Sequence, residues 1–136
     1  ALTDEIMTKT GALHFDVDAV QIENDCRNFL KSGRYAVYLA QAAGAQCVGF
    51  ATLCESHALY AGGSFGIIQE FYVAPQFRSA GLGCRLLDAV AAHGAHLGWK
   101  RLEMCTPPLP EFDRTLEFYR RNGFEVTGGR KMKRLL

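Results

Sequence analysis

The stretch that most restricts this chain is GIIQEFYVAPQFRSAGLGCRLL, residues 66–87, in which an apolar run meets a proline, two closely spaced glycines and a new apolar period. The run FGIIQEFYV reads as a largely buried strand, and Pro75 ends it. From Gly81 to Leu97 the apolar positions Leu82, Leu86, Val90 and Leu97 recur at helical intervals until Gly98 stops them. Gly81 and Gly83 therefore sit at a strand-to-helix join. Without Cβ atoms they let backbone come close to a ligand, and the unpaired amides of a helix start favour an anion.

The rest of the chain supplies the frame. DVDAVQIENDCRNFLKSG carries Ala19 or Val20, Ile22, Cys26, Phe29 and Leu30 at helical spacing, with Asp16 or Asp18 at its start and Gly33 past its end. RYAVYLAQ and QCVGFATLCESHA read as two strands of a hairpin around AAGA. WKRLEMCT is a further strand, PPLP a rigid break and Glu111 to Arg121 a short helix closed by Asn122-Gly123. FEV and RKMKRLL read as final strands split by Gly128-Gly129. The order α-β-β-β-α-β-α-β-β predicts a single mixed α/β (α+β) domain over residues 1–136, with a mostly antiparallel sheet flanked by helices.

Composition narrows the function classes. A formal net charge of +1 argues against a dedicated nucleic-acid binder, which carries a strong basic excess. The charge is uneven, however: from Arg114 to Leu136 seven basic residues face only Glu117 and Glu125. Such a segment is either a solvated face or a basic rim for a phosphorylated ligand. No run approaches the ~18 apolar residues of a membrane span, and no signal peptide is visible. The cysteines, Cys26, Cys47, Cys54, Cys84 and Cys105, are odd in number and form no CxxC pair, which predicts reduced thiols in a cytoplasmic protein.

Phosphate-binding turns come in several kinds. A P-loop needs GxxxxGK[ST], and no Gly-Lys-Ser/Thr occurs here. A dinucleotide fingerprint wants GxGxxG, but Leu86 stands where the third glycine or alanine belongs, and Glu103, at the distance of a ribose acid, lies inside RLEMCT. Glycines that merely tighten a connection would leave Arg78 without a purpose. QFRSAGLG instead resembles the R/Q-x-x-G-x-G/A signature of the GNAT superfamily of N-acetyltransferases. IIQEFYVAP before it is similar to that family's acidic-aromatic strand, and TLEFYRRNGFEVTG after it to the family's closing F/L-Y-x-x-x-G-F pattern. The resemblance spans roughly residues 34 to 136.

The resemblance implies acetyl-CoA as co-substrate, with no metal. Arg78, Ser79, Ala80, Gly81, Leu82, Gly83 and Cys84 would cradle its pyrophosphate, mostly through backbone amides aided by the helix dipole. The backbone of Phe71, Tyr72 and Val73 would pair with the pantetheine arm, and one amide there would stabilise charge on the thioester oxygen. Tyr119 matches the family's general acid, which protonates the departing thiolate. Glu70 is the candidate base for the incoming ammonium, set off from Gln69 by strand alternation. Direct transfer needs no acetyl-enzyme; Cys84 and Cys105 are the nucleophiles left open.

Where the chain departs from the family, substrate inference weakens. Family members open with a strand and a helix ahead of the helix read here from Asp18 to Leu30, and ALTDEIMTKTGALHF does not look like that strand, so the first unit is expected to be shortened. A homodimer would then complete the acceptor wall. Phe112 stands seven residues before Tyr119 where the family often carries Asn. His93 and His96 share one side of a helix without an evident third metal ligand, and His57 reads as a strand-end residue. The expected activity is acetyl transfer to a primary amine of a small molecule, without nucleic-acid or membrane partners. The alternatives are a protein N-terminal or lysine acetyltransferase, or a non-catalytic acyl-CoA-binding regulatory module of the same fold.

Overall fold

The computed structural model describes residues 1–11, 18–128, 132 and 134. Helices α1 (Leu2–Thr10) and α2 (Ala19–Lys31) lead into strands β1 (Tyr35–Gln41), β2 (Cys47–Ala58) and β3 (Gly63–Val73). Helix α3 (Leu82–His96), strand β4 (Leu102–Met104) and helix α4 (Asp113–Arg121) follow. The sheet order is β1-β2-β3-β4, with the first three strands antiparallel and β4 parallel to β3 after the α3 crossover. Among the described residues no helix is long and apolar enough to cross a membrane.

Local chemistry explains most element ends. Asp18 caps α2, its carboxylate accepting from the amides of Val20 at 2.8 Å and Gln21 at 3.3 Å. Helix α3 closes in a Schellman turn, in which Gly98 N–H bonds to Ala95 and Trp99 N–H to Gly94. The Trp99 indole then wedges between two glycines, since a Cβ on Gly66 would meet it at 2.2 Å and one on Gly94 at 2.8 Å. Its Nε1 donates to Glu55 at 2.7 Å.

The core lies between the sheet and α3, where Ala51, Leu53 and Ile68 meet Leu87 and Val90, with Tyr119 of α4 closing the cluster. Helix α2 covers the opposite face near β1, where the Phe29 ring lies 5.5 Å from that of Tyr35. Its apolar stripe is otherwise open: no residue of α2 is buried, and Val20, Ile22, Phe29 and Leu30 are all exposed.

Three expectations change. ALTDEIMTKT is a helix, with Asp4 and Glu5 in its first turn, Lys9 in its last and Gly11 in the left-handed region after it. FEV is not a strand: the Phe124 N–H bonds to the Tyr119 carbonyl and Gly123 N–H to Arg120, so this backbone caps α4 rather than joining the sheet. RKMKRLL lies largely outside the described residues. Finally, β4 is shorter than WKRLEMCT, because the Trp99 amide serves the end of α3 and Pro107 and Pro108 follow closely without donors.

Candidate active site

The turn between β3 and α3 is built by sequence. After Val73 the chain takes a short 3₁₀ turn over Pro75–Phe77, Ser79 adopts φ +62° and Gly81 φ +76°. A Cβ at Gly81 would meet nothing within 4 Å, so glycine is needed there for conformation rather than space. Gly81 is the N-cap of α3 and supplies no side-chain cap, and the first helical bond runs from Arg85 N–H to the Gly81 carbonyl at 3.1 Å. The amides of Leu82, Gly83 and Cys84 therefore lack intrahelical partners and stand at the positive end of the helix dipole. Ser79, Ala80 and Gly81 are exposed beside them. Gly83 has a packing role as well, since a Cβ there would lie 2.9 Å from Cζ of Phe118 on α4.

Arg78 is occupied otherwise than its motif suggested. Its Nε donates to the Val73 carbonyl at 2.7 Å and its two terminal nitrogens to the Glu5 carboxylate at 2.9 and 2.5 Å. That pairing, with the hydrogen bond from Arg78 as the largest cause, pulls the Glu5 pKa down to about 2. The side chain thus ties α1 to the turn.

Beside the turn the sheet opens. Strand β4 pairs with β3 only at Gly66, Ile67 and Ile68 and ends at Met104, whereas β3 runs on to Val73. The edge of Phe71, Tyr72 and Val73 that faces away from β2 has no strand beside it among the described residues. Such an edge offers main-chain donors and acceptors to an extended ligand. Phe71 packs there against Phe118 and Tyr119 of α4, each at 6.0 Å between ring centroids.

Tyr119 is buried, and the Schellman turn of α4 sets Phe124 against its ring at 5.9 Å. Its hydroxyl bonds to no described residue, yet no buried polar side-chain atom is left unpaired among them, so the oxygen reaches open space. Burial pushes its pKa up to about 12, which keeps the phenol protonated as a proton donor must be. Tyr119 also lines a cleft of about 950 Å³ with Leu87, Trp99 and Met104. The turn residues do not border that cleft, so the case for ligand binding rests on the turn and the open strand edge.

Glu70 lies on the sheet face that α2 covers, and a β-bulge decides its surroundings. Thr52 pairs with Glu70 and Leu53 with Ile68, so Gln69 is the extra residue. Simple alternation, which would send Gln69 and Glu70 to opposite faces, therefore fails here. The Gln69 amide donates to Cys54 Sγ at 3.0 Å, and Glu70 bonds to Thr52, two residues before Cys54 on β2. Glu70 Oε2 accepts from the Tyr35 hydroxyl at 2.7 Å and from the Thr52 hydroxyl, while the Glu70 N–H donates to Thr52 Oγ1 at 3.0 Å. Tyr35 and Thr52 carried no motif; only tertiary pairing brings them to this carboxylate.

The remaining candidates have structural partners or stand apart. His93 Nδ1 lies 3.1 Å from the Tyr38 hydroxyl, and its ring packs edge-on against Trp99, which joins α3 to β1. His57 bonds to Ser64 and pairs with Glu55. Among the described residues no group of three His, Cys, Asp or Glu side chains could hold a metal ion. All five cysteines are free: Cys84 is partly buried in the first turn of α3, and Cys105 is exposed just after β4. Phe112, where the family often carries Asn, is buried at the start of α4 with the Lys9 ammonium 4.6 Å above its ring.

Residues 33–126 match the family model described as acetyltransferase (GNAT) domain. Among solved structures, an integron cassette protein from the mobile metagenome of Cole Harbour Salt Marsh superposes with a TM-score of 0.77 at 25% identity, covering 99% of this chain and 80% of that one. The aminoglycoside N-acetyltransferase AAC(6')-Iy, in complex with the bisubstrate analogue CoA-S-monomethyl-acetylneamine, gives a TM-score of 0.77 at 22% identity, covering 89% of this chain and 82% of that one. An acetyltransferase of Trypanosoma brucei gives 0.69 at 20% identity over 99% of this chain and 92% of that one. No curated protein matches by sequence.

Proposed function

This chain belongs to the GNAT acetyltransferase family, and on that premise we propose that it moves an acetyl group from acetyl-CoA directly onto a primary amine of a small molecule. The observation that carries the proposal is the set of uncapped amides at Leu82, Gly83 and Cys84, partly buried behind the exposed turn Ser79–Gly81 and near a strand edge that β4 leaves open. A diphosphate fits such a turn, and an extended arm fits such an edge. Acetyl-CoA supplies the activated acyl group as a thioester.

The chain's own residues do the rest. Backbone amides of residues 79–84 hold the phosphates, with Arg78 fixing the turn through Val73 and Glu5. Main-chain groups of Phe71, Tyr72 and Val73 align the arm, and an amide there stabilises charge on the carbonyl oxygen. Glu70 takes a proton from the ammonium, directly or through water, and Tyr119 returns one to the leaving sulfur. Transfer in one step leaves Cys84 and Cys105 without a covalent role. The free cysteines fit a reducing, cytoplasmic compartment.

Similarity to aminoglycoside N-acetyltransferases supports a small amine acceptor. A ribosomal-protein-alanine N-acetyltransferase of Brucella melitensis, matched at 22% identity with a TM-score of 0.65, favours the second reading, a protein N-terminus. Buried Phe112 in place of Asn favours a third, an acyl-CoA-binding module without turnover.

Calorimetry with acetyl-CoA, followed by thiol release over a panel of aminoglycosides, polyamines, amino acids and N-terminal peptides, separates these. Turnover with a small amine is expected. Peptide turnover alone establishes the second reading, binding without turnover the third, and absence of binding overturns all of them.

A further inference from the structure

The two oxygens of the Glu70 carboxylate are not equivalent. Oε2 accepts from both the Tyr35 and Thr52 hydroxyls, whereas Oε1 bonds to no described residue. The Thr52 hydroxyl is held in turn, because its oxygen already accepts from the Glu70 N–H and its proton is thereby directed at the carboxylate. The three side chains come from three adjacent strands: Tyr35 from β1, Thr52 from β2 and Glu70 from β3. The bulge at Gln69 brings the last of them onto the shared face.

We propose that Tyr35, acting with Thr52, is a positioning residue that fastens one oxygen of Glu70 and leaves the other as the single basic site facing the acceptor amine. The inference rests on the assignment of Glu70 as the base and names what aims it. A carboxylate free to rotate would offer either oxygen and hydrogen-bond to water. Pinned by two hydroxyls, it keeps one lone-pair face in fixed register with the open edge of β3. Tyr35 suits this role because burial, followed by its bond to Glu70, raises its pKa and keeps its hydroxyl a donor. Titratable side chains near this cluster include Cys26 of α2, which acts electrostatically on Tyr35, and Cys54 of β2, whose Sγ accepts from the Gln69 amide.

The test compares kcat and KM of the full chain, with acetyl-CoA and the best acceptor of the panel, in wild type, Tyr35→Phe, Thr52→Val and Thr52→Ser. Tyr35→Phe and Thr52→Val should lower kcat by about tenfold with KM for acetyl-CoA unchanged, while Thr52→Ser, which keeps the hydroxyl, stays at the wild-type value. Thr52→Val decides the matter if Tyr35→Phe does not fold. A kcat that stays at the wild-type value in both variants overturns the proposal.

Glu70→Gln separates this from the base assignment. If it abolishes turnover while kcat in Tyr35→Phe and Thr52→Val stays at the wild-type value, Tyr35 and Thr52 have no positioning role and the base stands. If it retains wild-type turnover, the base assignment fails, and with it the catalytic meaning of the clamp.

Discussion

The Arg78 guanidinium grips the Glu5 carboxylate through both terminal nitrogens, at 2.9 and 2.5 Å, and so ties the first helix to the turn that opens α3. Both groups are partly exposed, so salt and solvent limit the contribution to about 1 kcal/mol. Glu5→Gln should lower stability to urea by about that amount at neutral pH. The folded pKa of about 2 lies below the ordinary 4.5, so the stabilisation is present above pH 4.5 and lost as pH falls toward 2. Urea melts of both proteins across that window should converge at the acid end; a constant difference would contradict the assignment.

Tyr119→Phe keeps the ring that packs on Phe71 and Phe124 and removes only the hydroxyl. Turnover should fall by about a hundredfold, the scale of a lost general acid, while calorimetry with acetyl-CoA gives wild-type affinity. The phenol also has a stability signature. Its folded pKa of about 12 lies above the ordinary 10, so its contribution is complete below pH 10 and lost as pH rises toward 12. Alkaline melts should show this loss in wild type and a smaller one in the variant.

At Gly81 the requirement is φ +76° with open space around it. Gly81→Asn should fold well and bind acetyl-CoA near wild-type strength, because Asn tolerates the left-handed region. Gly81→Val should cost about 1–2 kcal/mol or rearrange the turn, and should weaken binding by roughly tenfold or more. Equal affinity across the series would mean that this turn does not hold the phosphates.

Gly83 carries a packing constraint instead. Gly83→Ala would press a methyl onto the Phe118 ring at 2.9 Å and should destabilise by about 1–3 kcal/mol. Combining it with Phe118→Leu should cost less than the sum of the single changes, by at least about 0.5 kcal/mol, in a double-mutant cycle read by urea denaturation. Strict additivity would show that the two residues do not meet.

What the chain discloses in one dimension tracks how local each cause is. The Gly81 turn, the α3 period and the sequence pattern around Tyr119 act within a few residues and could be read directly, while the cap of α2 was narrowed to Asp16 or Asp18, of which the fold uses Asp18. Helix α1 carried readable marks too, with Asp4 and Glu5 early, Lys9 late and Gly11 after, but comparison with an opening strand hid them. The occupation of Arg78 by Glu5 was beyond sequence reasoning, because its partner is 73 residues away. Tyr35 and Thr52 were missed for the same reason: nothing in YAVYLAQ or FATLC hints that two hydroxyls converge on one acid. The bulge at Gln69 left no mark, since one more polar residue inside a strand looks like ordinary alternation.

That bulge gives the strand two parities. Ahead of it, Ile68 points into the hydrophobic interior; past it, Phe71 does so as well, although three positions separate them. Regular pairing at the same chain length would turn Glu70 and Phe71 each into the other's compartment, a charge among hydrocarbons and a ring among hydroxyls, whereas deleting Gln69 would straighten the strand and leave both on their present faces. The surplus residue therefore decides, as much as side-chain identity does, which compartment each later side chain of the strand enters.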